Sequence, residues 1–267
     1  MTTLTHRRCT PGALDELVAG APVSSASLND DHRRSLSARF RAVPTNHHRA
    51  IDAWMVEHGG RPHDGFAWSP VMTRRALANA ALRRARAHDL NVLDAVNHEV
   101  DELIVRAAAG YVRAGSLASY LAQLSPEARA IVRAEAASWA AQLTEAASGL
   151  AHSWSVAVAD AHYDVEHART SLRARRDLVI EGPHGRVVVR VRAGAPGKSA
   201  GPGLRADLTI DALSDPEGCP SSRFVGLWPE AGVLLCVDGT MENLRAGARD
   251  LVRTAVAWGR YRLASAA

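Results

Sequence analysis

The hydrophobic period of this chain changes near residue 152, and that change constrains the fold more than any other feature. Before it, apolar residues recur at helical spacing. "NVLDAVNHEVDELIVRAAAGYVRA" places Val92, Val96, Val100, Leu103, Ile104 and Ala107 on one stripe. "SPEARAIVRAEAASWAAQLTEAASGL" does the same with Val132, Ala136, Trp139 and Leu143. After it, "SWSVAVADAHYDV" alternates, with Trp154, Val156 and Val158 on one side and Ser155, Ala157 and Ala159 on the other, which is the period of a strand. The chain reads as a helical region over 1–150, then β-β-β-α-β-β-α over 151–267. That order predicts an α/β or α+β fold, with a small mixed sheet flanked by helices.

Start and stop signals refine this reading. Short helices are predicted in "CTPGALDELVAGA" and "SLNDDHRRSLSARFRAV", and "PTNHHRAIDAWMVEHGG" ends on a Gly pair that stops a helix. "WSPVMTRRALANAALRRARAHD" opens with Ser69 as N-cap and Pro70 at the first helical position. Ser125–Pro126 repeats that opening, with Glu127 in the first turn. In the second half, "SLRARRDLVIEG" and "RVVVRVRAG" read as strands joined by the turn "GPHG", and "APGKSAGPG" as a loop. "LRADLTIDALSD" reads as a helix, although Leu204, Ala206, Leu208 and Ile210 also alternate. "RFVGLWPEAGVLLCVDG" is strand, turn, strand. Thr240 caps a closing helix whose Leu244, Ala248, Leu251 and Val252 face inward.

Composition excludes several classes. Hydrophobic content of 47% and charge of 22% are those of a globular chain. No run reaches the roughly 18 apolar residues of a membrane span, and the first residues carry no signal-peptide core, so a cytoplasmic protein is expected. Three cysteines argue against a disulfide scaffold or a Cys-rich metal site. The net charge of +4 permits a polyanionic partner, and Lys198 is the lone lysine among 32 basic residues. Arginine offers phosphates a planar fork, whereas lysine is the tunable catalytic amine.

The stretch "RRDLVIEGPHGRVVVRVRAG" at 175–194, with its flanking elements, resembles the PD-(D/E)xK nuclease superfamily, in particular its RecB-like branch. The resemblance covers about residues 150–260 and implies a restriction-endonuclease-like fold. In that family the strand before the turn ends in a pattern that "RRDLVIEG" matches with Asp177. The next strand carries an acid and a lysine two apart, and here Arg190 and Arg192 stand at those positions. The following helix often carries Gln-x-x-x-Tyr, and this chain has Asp207 and Asp211 at that spacing instead.

Those departures decide the chemistry. The family's nucleases hold Mg²⁺ between carboxylates to stabilise phosphate charge and activate water. Strand alternation puts residues 188, 190 and 192 on one face, so Arg190 and Arg192 project together beside Asp177. A unit-charge pair at ~4 Å is worth about 4 kcal/mol at an effective dielectric of ~20, and a dication doubles that repulsion. One aspartate does not offset it. Asp160 or Glu166 can supply an upstream acid but cannot remove the arginines. Three readings of Asp177, Arg190 and Arg192 stay open: an internal ion pair replacing the metal, a phosphate-binding cleft, or a shifted strand whose arginines face solvent.

Other candidates are weaker. The helix at 69–89 carries Arg74, Arg75, Arg83, Arg84 and Arg86 against Asp89, with Arg75, Arg83 and Arg86 on one side, and is a candidate nucleic-acid surface. His47, His48, His58 and His63 lack a metal-ligand spacing, so no metal is expected. "GAPGKSAGPG" lacks the leading glycine of a P-loop, and Cys236 in "GVLLCV" reads as inert core. The expectation is therefore a catalytically degenerate nuclease-fold protein that binds nucleic acid or serves as an accessory factor in DNA metabolism, without a cofactor. The alternatives are a protein-interaction scaffold, or a Mg²⁺-dependent DNA nuclease with a rearranged site.

Overall fold

The computed structural model describes residues 4–10, 12–43, 49–60, 68–113 and 115–265. The fold is α+β. Two compact units are present: Met1–His63 with Gly149–Ala267, and Asp64–Ser148. The first 63 residues, grouped by their sequence pattern with the helical region, thus belong with the β-rich unit.

The smaller unit contains α4 (Pro70–His88), α5 (Val92–Ala108), α6 (Leu117–Gln123) and α7 (Pro126–Ser148). Its core is the stripe expected from spacing: Val96 and Val100 of α5 and Val132 and Ala136 of α7 pack with Leu77 and Ala81 of α4. Ser69 caps α4 by accepting from the Met72 amide at 3.3 Å, with Pro70 in the first turn.

The larger unit opens with β1 (Leu4–Arg8), α1 (Ala13–Ala19), α2 (Asp30–Arg41), β2 (Arg49–Asp52) and α3 (Ala53–Glu57). It resumes with β3 (Trp154–Val156), β4 (Ala161–Asp164), β5 (Thr170–Ala174), β6 (Leu178–Gly182), β7 (Gly185–Val191), α8 (Ala200–Ser214), β8 (Arg223–Trp228), β9 (Val233–Asp238) and α9 (Met241–Ser265). A six-stranded sheet runs β1-β9-β8-β7-β6-β3, and a three-stranded sheet runs β2-β5-β4. The β6–β7 hairpin pairs Leu178 with Val189 and Gly182 with Gly185, and β7 lies parallel to β8 across the α8 crossover.

Four sequence expectations change here. β1 and β2 fall in the region expected to be helical: β1 completes the large sheet against β9, and β2 pairs in parallel with β5. Each is a short strand that gains its hydrogen bonds from a distant partner. "SWSVAVADAHYDV" is two strands in different sheets, separated where Val158 is 90% exposed. "SLRARRDLVIEG" likewise divides into β5 and β6. Helix α8 begins at Ala200, inside the expected loop.

β7 and β8 are apolar runs because both faces of the sheet are covered. Val188, Phe224, Trp228, Leu235 and Val237 join the core built by α8 and α9, while Val187, Val189 and Val191 are buried on the other face. Helix α8 is buried all round, which removes the one-sided period that identifies a surface helix and explains its strand-like alternation. Cys236 lies in the β9 interior, where burial raises its thiol pKa. Among the described residues, no helix is long and apolar enough to cross a membrane.

Helices α8 and α9 meet at Gly247, where a Cβ would overlap Thr209 Oγ1 and the Arg205 carbonyl. Gly247→Ala should therefore destabilise by about 1–3 kcal/mol, despite alanine's better helix propensity. Urea denaturation checks this; a gain in stability would contradict the close approach.

Candidate functional site

Of the residues that would form a nuclease centre, Arg190 lies on β7, Arg192 just past its end and Asp177 just before β6, and their side chains turn inward. Arg186, Val188, Arg190 and Arg192 alternate onto the face covered by α8 and α3. Each arginine meets an acid there. Arg190 pairs with Asp207, and Arg192 with Glu57. Arg186 reaches Asp211 at 3.3 Å. Asp211 also pairs with Arg176 at 2.5 Å and accepts from the Ser221 amide at 3.0 Å and the Ser221 hydroxyl at 2.7 Å. The fully buried Asp211 therefore joins the approach to β6, the start of β7 and the loop before β8 to one helix.

The burial is deep enough to decide availability. Arg190 is 7% exposed and Asp207 is fully buried. Glu57 fits beside α8 because residue 203 is glycine; a Cβ there would overlap its carboxylate. The Arg192 guanidinium also lies 5.1 Å from the centroid of the Trp228 ring, a cation–π distance. Burial is the largest influence on Asp207 and raises its pKa to about 6, against the pull of Arg190 and Arg192. Asp207 is therefore mainly ionised at neutral pH. Burial alone would lower the Arg190 pKa, but attraction and hydrogen bonding from Asp207 outweigh it and hold Arg190 above the ordinary arginine value. The pair is ionic. Glu57 Oε1, Asp207 Oδ1 and Arg192 Nη1 have no hydrogen-bond partner, so the network is incompletely satisfied.

Asp177 has a backbone task. It is fully buried, and its Oδ2 accepts from the Val191 amide at 2.8 Å, just past the end of the β6–β7 ladder. Of the three readings left open, solvent-facing arginines do not hold: Arg190 and Arg192 pair internally, with carboxylates on α8 and α3 rather than with Asp177. Asp160, the candidate upstream acid, accepts from the Arg176 amide at 3.3 Å, and Glu166 pairs with its neighbour His167 at 3.2 Å. Among the described residues, no three His, Cys, Asp or Glu side chains gather as a metal site requires. The residues at the expected centre do not fit Mg²⁺: two guanidiniums fill the face on which the cation would sit.

The α4 arginines are also engaged. Arg84 reaches Glu99 and Glu102 of α5, each at 2.5 Å, and the Glu99 hydrogen bond is the main cause of its raised pKa. Arg74 lies 4.5 Å from the Trp139 ring centroid. Arg75, Arg83 and Arg86 have interactions of their own, so α4 does not present five unpartnered cations. His58 stacks on Trp54 with ring centroids 4.0 Å apart, while His47, His48 and His63 lie outside the described residues.

Sequence reading missed Glu57 as a partner and treated Asp207 and Asp211 only as a departure from a pattern. Their signal was nonetheless present: two carboxylates four apart occupy one face of an otherwise apolar helix, opposite a strand with arginines on one face. Comparison of the chain with protein-family models and with curated proteins returns no match.

Removing an acid from this network strands half-buried cations and the buried Ser221. Asp211→Ala should cost about 3–5 kcal/mol, because Arg176, Arg186 and Ser221 all lose a partner. A loss below about 1 kcal/mol in chemical denaturation would contradict the network.

Proposed function

We propose that this chain is a catalytically degenerate nuclease-fold protein that acts by binding nucleic acid, as an accessory factor in DNA metabolism. The observation that carries the reading is the state of Arg190 and Arg192. Both stand where the family that the hairpin resembles has an acid and a lysine, and both are consumed by internal ion pairs. A side chain held by Glu57 or Asp207 cannot position a hydrolytic water or neutralise a phosphate without leaving an unpaired charge inside the protein. Binding, rather than hydrolysis, is what such a fold retains. The contact lies away from β7, and the arginine surplus of the surface supplies the attraction.

A second reading, a scaffold for a protein partner, draws support from the helical unit. There Leu93, Val105 and Ile131 are 55%, 66% and 60% exposed.

The test is binding of the full chain to single-stranded and duplex DNA across a salt series, with cleavage followed in Mg²⁺ and in Mn²⁺. The expected result is binding whose affinity falls steeply with salt, with no cleavage. Absence of binding at low salt would favour the scaffold. Metal-dependent cleavage that Asp177→Ala abolishes would restore the nuclease.

A further inference from the structure

The groove between α2 and α9 differs from every arginine site described above. Helix α9 carries Arg245, Arg249 and Arg253 four residues apart, so they share one face, and all three are exposed. Arg39 of α2 faces them and lines both depressions of the groove. The first depression, about 400 Å³, is bounded by Arg39, Arg205, Arg249 and Arg253 with Glu242 and Asp250. Asp250 is already committed: it holds Arg205 at 3.2 Å and pairs with Arg253. Arg39, Arg245 and Arg249 form no ion pair with any described residue. The second depression, about 270 Å³, is a notch with a floor of Leu36, Leu213, Leu244 and Ala248, rimmed by Arg39 and Arg245.

We infer that this groove is a binding site for single-stranded nucleic acid. Arg39, Arg245 and Arg249 would take successive backbone phosphates, and the notch an unpaired base. This assignment rests on the nucleic-acid reading of the preceding subsection and supplies its location. Three groups of observations support it. Five arginines face two acids across the two depressions, so the local charge is cationic where the β7 and α4 arginines are largely engaged. Arg245 and Arg249 lie about 6 Å apart along the helix, with Arg39 facing them from α2, so the three cations line one path along the groove. The adjoining notch is lined mainly by apolar side chains, so it suits a flat ring splayed from the backbone, which a base still paired in a duplex cannot offer. An arginine rim also places guanidinium planes where they can stack on that ring.

The experiment uses the full chain, a short fluorescein-labelled single strand of mixed sequence, and a salt titration followed by anisotropy. Arg245→Ala/Arg249→Ala should fold normally, because both side chains are exposed, and circular dichroism and melting temperature check that it does. It should flatten the slope of log affinity against log salt by roughly 1.4, the loss of two single-strand phosphate contacts at about 0.7 each. Arg106→Ala, an exposed arginine of α5 paired with Glu102, should leave the slope unchanged. A duplex of the same sequence should bind more weakly than the strand; equal affinity would overturn the base-in-notch assignment. If the wild-type chain binds but the α9 variant matches it in affinity and slope, the groove is not the site. If the wild-type chain binds no nucleic acid at low salt, the preceding reading falls and this assignment with it.

Discussion

The structure depends on a set of charges held between one strand and the helices that cover it. Arginines on one face of β7 are the unusual choice for a strand buried on both sides, because an unpaired guanidinium there would carry a desolvation cost of several kcal/mol. Asp207 and Glu57 resolve that cost by facing Arg190 and Arg192, while Asp211 receives Arg186 together with Arg176. The consequence reaches beyond β7. Helix α8 must seat its carboxylates over the strand, residue 203 must lack a side chain so that Glu57 fits, and α9 can then close on α8 at Gly247. Charge placement, rather than additional apolar area, fixes how these elements register.

Buried ion pairs of this kind are better understood as specifying an arrangement than as adding stability. Burial disfavours the charged forms of Asp207 and Arg190, and their mutual attraction opposes it, with help from Arg192 on Asp207 and from Glu57 and Asp52 on Arg190. The orphaned oxygens of Asp207 and Glu57 mark the cost that remains. The same residues bear on whether a cation fits beside β7. A divalent cation needs converging carboxylates, and here Asp207, Asp211 and Glu57 each already face a guanidinium.

Much of this was legible in the chain. The stripes of α5 and α7, the Ser69–Pro70 opening of α4, the β6–β7 hairpin and the closing helix all follow from local chemistry: period, caps and turns. What was hidden is what depends on distant partners. β1 and β2 are short strands whose hydrogen bonds come from β9 and β5, far along the chain, and no local period reveals them. The breaks between β3 and β4 and between β5 and β6 are changes of sheet, which alternation alone does not record. The arginines at 190 and 192 and the spacing of Asp207 and Asp211 were visible in the chain. Glu57 was not, because it arrives from more than a hundred residues away.

The most direct test of the account is a double-mutant cycle on the central pair: Arg190→Met, Asp207→Leu and the combination, each unfolded in urea. Either single replacement leaves a buried charge without its partner and should cost about 3–5 kcal/mol. The double replacement removes both charges and should recover most of that loss, giving a coupling of several kcal/mol. If the two losses simply add, with a coupling within about 0.5 kcal/mol, the residues act independently and the arginines of β7 are not the internal struts described here.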